Sequence, residues 1–265
     1  MFSTATIAVL LLIATLGHAM AFLWYAALKN DWTICRRTIY ALPINERQMK
    51  REFMNSLHTP IHAVVLAAFL ALGFFQNTSW LSFLLSLVAT TIAAEVWHYA
   101  SHRLFHLPAF HWIHAEHHKS HLNTPFTAIS FAFSEKLIFD VGLLAPLAFA
   151  DYLLGLNFFG IAGWYVGYLV INSFAHANFE MRPKGYNRLL GKVLTTTTYH
   201  SLHHSRYTGN YGLGTRFLDR LFRTEWEDYE RLYERVCDDR PLSRLRQKVE
   251  PTLAGKAVLS VAQPE

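Results

Sequence analysis

Nine histidines stand in a pattern suited to holding a pair of metal ions. They are His98-x3-His102, then His114-x2-His117-His118, a lone His176, and His200-x2-His203-His204. Neutral imidazole is the commonest protein metal ligand. Histidines three or four residues apart share one face of a helix, so each box can aim its rings at one spot. The chain has 15 His in 265 residues. Scattered at that frequency, an H-x2-H-H match is expected roughly 0.05 times by template counting. Two such matches and an H-x3-H therefore call for a chemical reason. Nine imidazoles exceed the need of one ion. Divided between two, they leave room for an exogenous ligand, and an open two-metal site reads as catalytic. Imidazole suits Fe, Zn, Cu and Ni. A closed structural zinc site uses four ligands, usually with Cys. No catalytic group separate from the metal ligands stands out.

Other residues join the list at lower rank. His106, His111 and His121 lie among the boxes at less regular spacing, and read as supporting hydrogen-bond partners or headgroup contacts. Asn172, one helical turn before His176, can meet the same metal directly or through water, or be satisfied within the bundle. Glu95 lies one turn before His98, and an intramembrane carboxylate is a functional candidate; it can orient His98 or His102. Glu116 and Glu180 either serve the boxes or face water. His58 and His62 read as interfacial caps at the start of the second span. His18, deep in the first span, reads as a hydrogen-bonded packing residue.

The elements that must carry these residues are membrane helices. The chain is 52% hydrophobic and 16% charged, with mean hydropathy +0.16, too apolar for an ordinary soluble domain. Thr4–Leu28 is uncharged and long enough to span; about 20 apolar residues suffice. Pro60–Phe75 and Trp80–Ala94 form a second pair across Gln76–Ser79. Leu137–Ala150 and Tyr152–Ile171 form a third, broken by Asp140 and Asp151. The predicted fold class is all-α: a multi-pass helical bundle of five spans with a histidine-rich cap. All 24 Lys and Arg fall in 29–57, 98–136 and 172–265. Five spans put these segments on one side, which the positive-inside rule makes the cytoplasm, with the N-terminus outside. The histidine boxes share that side. The net charge of +5 reflects a basic face toward anionic headgroups, and no nucleic-acid motif is present.

The first block lacks the basic start of a cleaved signal peptide, although Ala19-x-Ala21 would suit a peptidase. Cys35 and Cys237 both fall on the cytoplasmic side, where a disulfide is not expected, and two isolated Cys make no zinc motif. The organisation reads as N-terminal spans in 1–94, a histidine-box region with a further hairpin in 95–236, structurally one domain with the first part, and a polar tail in 237–265. Ser205–Gly214 reads as a loop. Thr215–Arg223 reads as an amphipathic helix, lying on the membrane or packed on the protein. Trp226, Tyr229, Leu232, Tyr233 and Val236 form a helical packing stripe. The last dozen residues read as disordered.

At this point the order and spacing of the motifs resemble a known family. His98–His102, His114–His118, Asn-Ser-Phe-Ala-His-Ala-Asn-Phe (172–179) and Tyr199–His204 are similar to the fatty acid hydroxylase / sterol desaturase superfamily. So is the tail Gly-Asn-Tyr-Gly…Leu-Asp-Arg-Leu-Phe-Arg-Thr (209–224), where the family often has Trp at the position of Leu218. The likeness covers roughly Glu95–Glu225. The H-x3-H box fits the sterol-desaturase side, and Asn172 stands where many relatives carry another His. The resemblance implies an integral membrane oxidoreductase with two histidine-ligated non-haem Fe ions. Such an enzyme uses O2 and electrons to hydroxylate or desaturate a lipid C–H bond. It also implies a lipid substrate drawn from the bilayer, whether sterol, fatty acyl chain, sphingoid base or a related lipid. Zn can substitute in imidazole sites. The chain has no haem, flavin, nicotinamide or iron–sulfur motif, so electrons come from a separate donor protein on the basic face. Rival readings are a membrane zinc hydrolase, for which H-E-x-x-H is absent, a His-rich metal sensor or transporter, and a bis-histidine haem protein.

Overall fold

The computed structural model describes residues 1–249. The disordered reading of the last dozen residues, and most of the tail, lie outside that range. Ten α-helices are seen among the described residues: α1 (Thr4–Lys29), α2 (Glu46–Ser56), α3 (Ile61–Ala71), α4 (Trp80–Phe105), α5 (His111–His118), α6 (Phe133–Leu154), α7 (Phe158–Ala175), α8 (Thr197–Arg206), α9 (Phe217–Leu221) and α10 (Tyr229–Cys237). Outside them, the described residues add four single-turn 3-10 helices and isolated bridges, such as Thr38 with Phe179. Five helical stretches are long and apolar enough to cross a membrane: α1, α2–α3 together, α4, α6 and α7. A 26-residue helix such as α4 is about 39 Å long, enough to span and still project beyond the hydrocarbon.

Helix α4 shows why the bundle suits lipid. Leu81, Leu84, Leu85, Val88, Ile92 and Val96 face outward, while Ser82, Ser86, Thr90 and Ala94 are buried. Large apolar groups outside and small or hydroxylic ones inside are the arrangement of a membrane helix. The small stripe brings α4 close to α7. A Cβ added at Gly160 would lie 2.4 Å from the Phe83 carbonyl oxygen and 2.7 Å from Ser86 Cβ. The Ser86 hydroxyl accepts from Asn157 N at 2.7 Å, and Asn157 caps α7. Trp97 of α4 occupies the space beside Gly142 of α6.

Several boundaries differ from the sequence expectation. Helix α4 runs eleven residues past Ala94, to Phe105, so His98 and His102 are helical. Helix α6 is not broken at Asp140, because its buried carboxylate accepts from His62 Nδ1 at 2.8 Å and Tyr165 OH at 2.9 Å. Asp151 accepts from Phe75 N and Leu156 N and so closes the α6–α7 turn, which comes at Gly155, in the left-handed region. The basic segment 29–57 contains α2, started by Asn45. Its Glu52 is fully buried, and accepts from Gln48, Ser120, Thr124 and Thr127. That carboxylate ties α2 to the irregular segment 119–131.

A cap covers one end of the bundle. Ile39, Tyr40, Leu122, Tyr199, Leu202, Tyr229, Leu232, Tyr233, Val236 and Leu242 form its core. Arg216, with 0% exposure, reaches Glu225, Glu230 and the Gly191 carbonyl. Segment 215–223 keeps a helix only over Phe217–Leu221. Its Asp219 is buried on Tyr199 and the backbone of Tyr211 and Gly212, while Phe217, Leu221 and Phe222 are exposed. Cys35 and Cys237 are free and buried.

Because α4 and α7 carry site residues at their ends, their close approach is testable. Gly160→Ala should lower stability by about 1–3 kcal/mol, the usual range for overpacking. The thermal midpoint of the purified protein in detergent measures it; an unchanged midpoint would show that the α4–α7 contact is not tight.

Candidate metal centre

The histidines come together from four places. His102 sits in the last turn of α4 and His106 is its C-cap. Helix α5, eight residues long, carries His114, His117 and His118. His176 caps α7. Helix α8 carries His200, His203 and His204, and all ten of its residues are buried. A polar helix buried on every side is stable only if its polar groups are satisfied. Thr196 caps its start, and Glu180 accepts from Thr198 N and Oγ1 at 2.9 and 2.8 Å.

Nine imidazoles sort into two groups, each with donor atoms within 4.8 Å of one another. His102, His106, His114, His118 and His203 form one; His117, His176, His200 and His204 form the other. Each box divides by helical geometry. Residues four apart face the same way, so His114 and His118 share the first group and His200 and His204 the second. Adjacent residues diverge by about 100°, so His117 and His203 serve the opposite groups from their neighbours.

The ring protons are directed. His102 Nδ1 donates to Tyr211 O at 2.8 Å, His203 Nδ1 to Gly209 O at 2.8 Å, and His117 Nδ1 to Ser130 O at 3.0 Å. His176 Nδ1 donates to Asn172 O at 2.8 Å and His204 Nδ1 to Ser120 O at 2.9 Å. His114 Nδ1 meets the Glu135 carboxylate at 2.5 Å. With the proton on Nδ1, each Nε2 of a neutral ring carries a lone pair. Yet His176 Nε2 lies 3.1 Å from His204 Nε2 and 3.4 Å from His117 Nε2. His200 Nε2 is 2.9 Å from His176 Nε2, and His203 Nε2 is 3.0 Å from His118 Nε2. The Nε2 atoms of His102, His106 and His114 are buried without a partner. Among His117, His176 and His204, whose Nδ1 protons are all committed, the facing lone pairs repel, and a cation between them removes the repulsion; His118 and His200, with Nδ1 unpartnered, are free to carry the proton on Nε2 instead. Nitrogens about 2.1 Å from one ion stand roughly 3.0–3.4 Å apart. The donor set fits metal.

Burial, with the neighbouring rings, holds the imidazoles of His106, His114, His117, His118, His200, His203 and His204 well below their ordinary pKa. Burial holds His176 at about 4, against the pull of the Asn172 carbonyl. The rings are thus neutral and able to ligate near pH 7.

The remaining sequence candidates have other places. His98 lies outside both groups, one turn before His102, with its Nε2 buried and unpartnered. His111 and His121 flank Tyr207, also outside both groups. The Asn172 side chain donates to Ala128 O at 2.5 Å, so its service to His176 is through the backbone. Glu95 accepts from Thr215 N and Oγ1 at 3.2 and 2.9 Å, which ties α4 to the cap. Glu116 pairs with Arg51 and Lys119 at the surface. His58 meets Phe131 O at 2.8 Å and His18 meets Ser56 at 3.0 Å. His62 is not an interfacial cap: it is buried against Asp140 one turn further in. The sequence reading missed Glu135, whose only signal is a carboxylate at the start of an apolar block, and the carbonyls that receive the ring protons, which have no side-chain signal.

A cavity of about 50 Å³ adjoins both groups, lined on the bundle side by Phe131, Phe139, Tyr168 and Leu169. A wider groove of about 230 Å³ lies between α4 and α7 and shares His98, Phe139, Tyr168 and Leu213 with it.

A pH dependence follows from the buried rings. Their folded pKa values lie below the unfolded value near 6.5, so in acid the unfolded chain binds more protons than the folded one. The metal-free protein should lose roughly 1 kcal/mol per pH unit for each such ring as pH falls below about 6.5. Its thermal midpoint should be flat from about pH 7 to 8 and drop between about pH 6 and 5; a flat profile across that lower range would contradict the neutral, buried arrangement.

Comparison with known proteins agrees with this centre. The family model for fatty acid hydroxylase matches residues 87–224. Over 145 residues the chain is 30% identical to the very-long-chain aldehyde decarbonylase GL1-4 of Oryza sativa subsp. indica, a match covering 53% of this chain and 23% of that protein. Over 159 residues it is 28% identical to the very-long-chain aldehyde decarbonylase CER1 of Arabidopsis thaliana, covering 58% and 25%. It is 31% identical over 149 residues to protein CER1-like 1 of Arabidopsis thaliana, covering 54% and 24%. The match spans about a quarter of the length of these relatives. No solved structure is significantly similar. The matched segment contains every histidine of both groups, and the chain belongs to the fatty acid hydroxylase family.

Proposed function

We propose that the protein is a membrane-bound non-haem diiron oxidoreductase that acts on a long-chain lipid with O2 and external electrons. The observation that carries this reading is the pair of adjoining imidazole groups whose lone pairs converge beside an apolar cavity. His102, His106, His114, His118 and His203 would hold one iron, and His117, His176, His200 and His204 the other. Bound iron would supply O2 activation and removal of hydrogen from an unactivated C–H bond.

The chain's own residues do the positioning. The carbonyls of Tyr211, Gly209, Ser130, Ser120 and Asn172 fix ring orientation and keep each Nε2 free. Glu135 does the same for His114 and brings a carboxylate that raises the basicity of the ring. Phe131 lies over the His117 ring at 3.9 Å between centroids and excludes water on that side. The groove between α4 and α7 supports delivery of an alkyl chain from the bilayer. At Gly163 and Gly167 an added Cβ would meet nothing within 4 Å, so α7 leaves open space there. The basic segments at the capped end support a cytoplasmic placement and the docking of a separate electron-donor protein.

The likeness to very-long-chain aldehyde decarbonylases favours a second reaction on the same centre, cleavage of a long-chain aldehyde. Lipid mass spectrometry with and without the protein separates the outcomes. Hydroxylation adds one oxygen atom, desaturation removes two hydrogens, and aldehyde cleavage gives a hydrocarbon one carbon shorter. None of the three would remove the proposal.

Three substitutions test the parts. His106→Ala should lower bound iron from about two ions to about one per chain, with loss of product, while His98→Ala retains both, since one ligand lost from an ion typically weakens it strongly. Elemental analysis reads this, and equal iron in both variants would refute the ligand division. Gly167→Trp should keep the iron but cut turnover of long-chain lipid by roughly tenfold or more, because the chain no longer reaches the metals in register; unchanged turnover would close the α4–α7 route.

A further inference from the structure

Below the metal centre, three spans contribute a second buried polar group. His62 of α3 is 5% exposed, and Asp140 of α6 and Tyr165 of α7 are each 0% exposed. Asp140 accepts from His62 Nδ1 at 2.8 Å and from Tyr165 OH at 2.9 Å. A carboxylate placed in a span is costly, and such residues mark functional sites more often than structural ones. A packing role alone is served as well or better by apolar side chains. The location adds to this, because His62 lines the same cavity as His98, His102, His114, His117 and His176.

Apart from the metal-facing ring nitrogens, and from Glu135 Oε2 and His98 Nε2, which are buried without a partner, most polar groups of that cavity are engaged. Lys136 Nζ donates to Thr59 Oγ1 and Ile129 O, both at 2.9 Å, and to Asn55 O at 3.2 Å, which uses its three protons. The Asn172 amide is spent on Ala128 O, and the Ser101 hydroxyl on Trp97 O. Glu135 holds His114. His62 is different. Asp140 fixes its Nδ1, and no described residue hydrogen-bonds its Nε2. An imidazole anchored by a carboxylate at one nitrogen has a set orientation and offers the other.

We propose that His62, oriented by Asp140 and Tyr165, accepts a hydrogen bond at Nε2 from a hydroxyl at the polar end of the lipid substrate. The inference rests on reading the neighbouring centre as lipid-oxidising. The alkyl tail then occupies the apolar groove, and the oxygen-bearing end lies in the inner cavity between His62 and the metals. That fixes which carbons face the metals, since the register of a featureless chain needs a polar anchor.

The test uses the full-length, iron-loaded protein in detergent, without O2, so that binding is read in the absence of turnover. The probes are octadecan-1-ol, octadecanal and octadecane. The wild type should bind octadecan-1-ol roughly fivefold to tenfold tighter than octadecane or octadecanal, neither of which has an O–H to donate, the order expected of one buried hydrogen bond. His62→Asn keeps an amide near the Nδ1 position for Asp140 but removes the group at Nε2; it should lose that preference while still binding octadecane. His62→Gln, which reaches the Nε2 position, should retain part of it. A purely structural role predicts the reverse, with His62→Asn neutral and His62→Gln damaging, and that outcome overturns the proposal. So does a wild type with no preference for the alcohol. Iron content, measured on the same samples, reports separately on the metal centre. If His62→Asn does not fold, Tyr165→Phe, which loosens Asp140 only, should narrow the preference, and an unchanged preference would again overturn the idea.

Discussion

Facing lone pairs are the constraint on which the rest of this structure depends. Six ring Nδ1 atoms are committed to carbonyls or to Glu135, and their Nε2 atoms are thereby left bare and turned toward one another. Without a cation this is an unfavourable arrangement: the buried Nε2 atoms of His117, His176 and His204 face one another at 3.1 and 3.4 Å. With cations it becomes a preorganised site. The energy needed to hold the rings in place comes from elsewhere in the fold, from the cap core around Tyr199 and Tyr229 and from the buried pairs of Arg216 and Asp219. A site that is strained when empty and relieved when filled couples metal binding to folding.

The receiving carbonyls come from irregular chain. Ser120 and Ser130 flank the segment between α5 and α6, and Gly209 and Tyr211 belong to the loop after α8. Helical carbonyls are already occupied within their own helices, so chain outside helices, or a helix end such as Asn172, is the natural source of acceptors. Such chain is tolerated next to a membrane only when buried in protein. The cap and Glu52, which gathers Ser120, Thr124 and Thr127, supply that burial. The same logic places Asp140, whose charge is acceptable inside a span because His62 and Tyr165 meet it.

Much of this was legible in the residues. The all-helical class and the five spans follow from the length and apolar character of the blocks, and eight of the nine clustered rings are named by the H-x2-H-H boxes, His102 and His176. The sequence reading put His98 among the ligands and His106 in a lower rank. Both are four residues from His102, so spacing alone does not separate them, and it is the bend of the chain after Phe105 that brings His106 back toward His114 and His118. Asp140 and Asp151 read as breaks because a lone carboxylate in an apolar run has no visible partner. Their partners, His62 with Tyr165 and the Phe75 amide, lie on other elements.

The sequence by itself determined the donor type, the pairing of boxes and the membrane setting. These depend on composition and on periodicity within single helices, which are local properties. The tertiary structure alone decided which ring joins which histidine group, which atoms receive the ring protons, and where the cavity lies. Adjacent histidines point about 100° apart on a helix, so His117 and His118 had to part, but the direction of each depended on where α7 and α8 pack. Contacts made across 59 to 85 residues of sequence, such as His176 with His117 and His203 with His118, leave no local pattern to read.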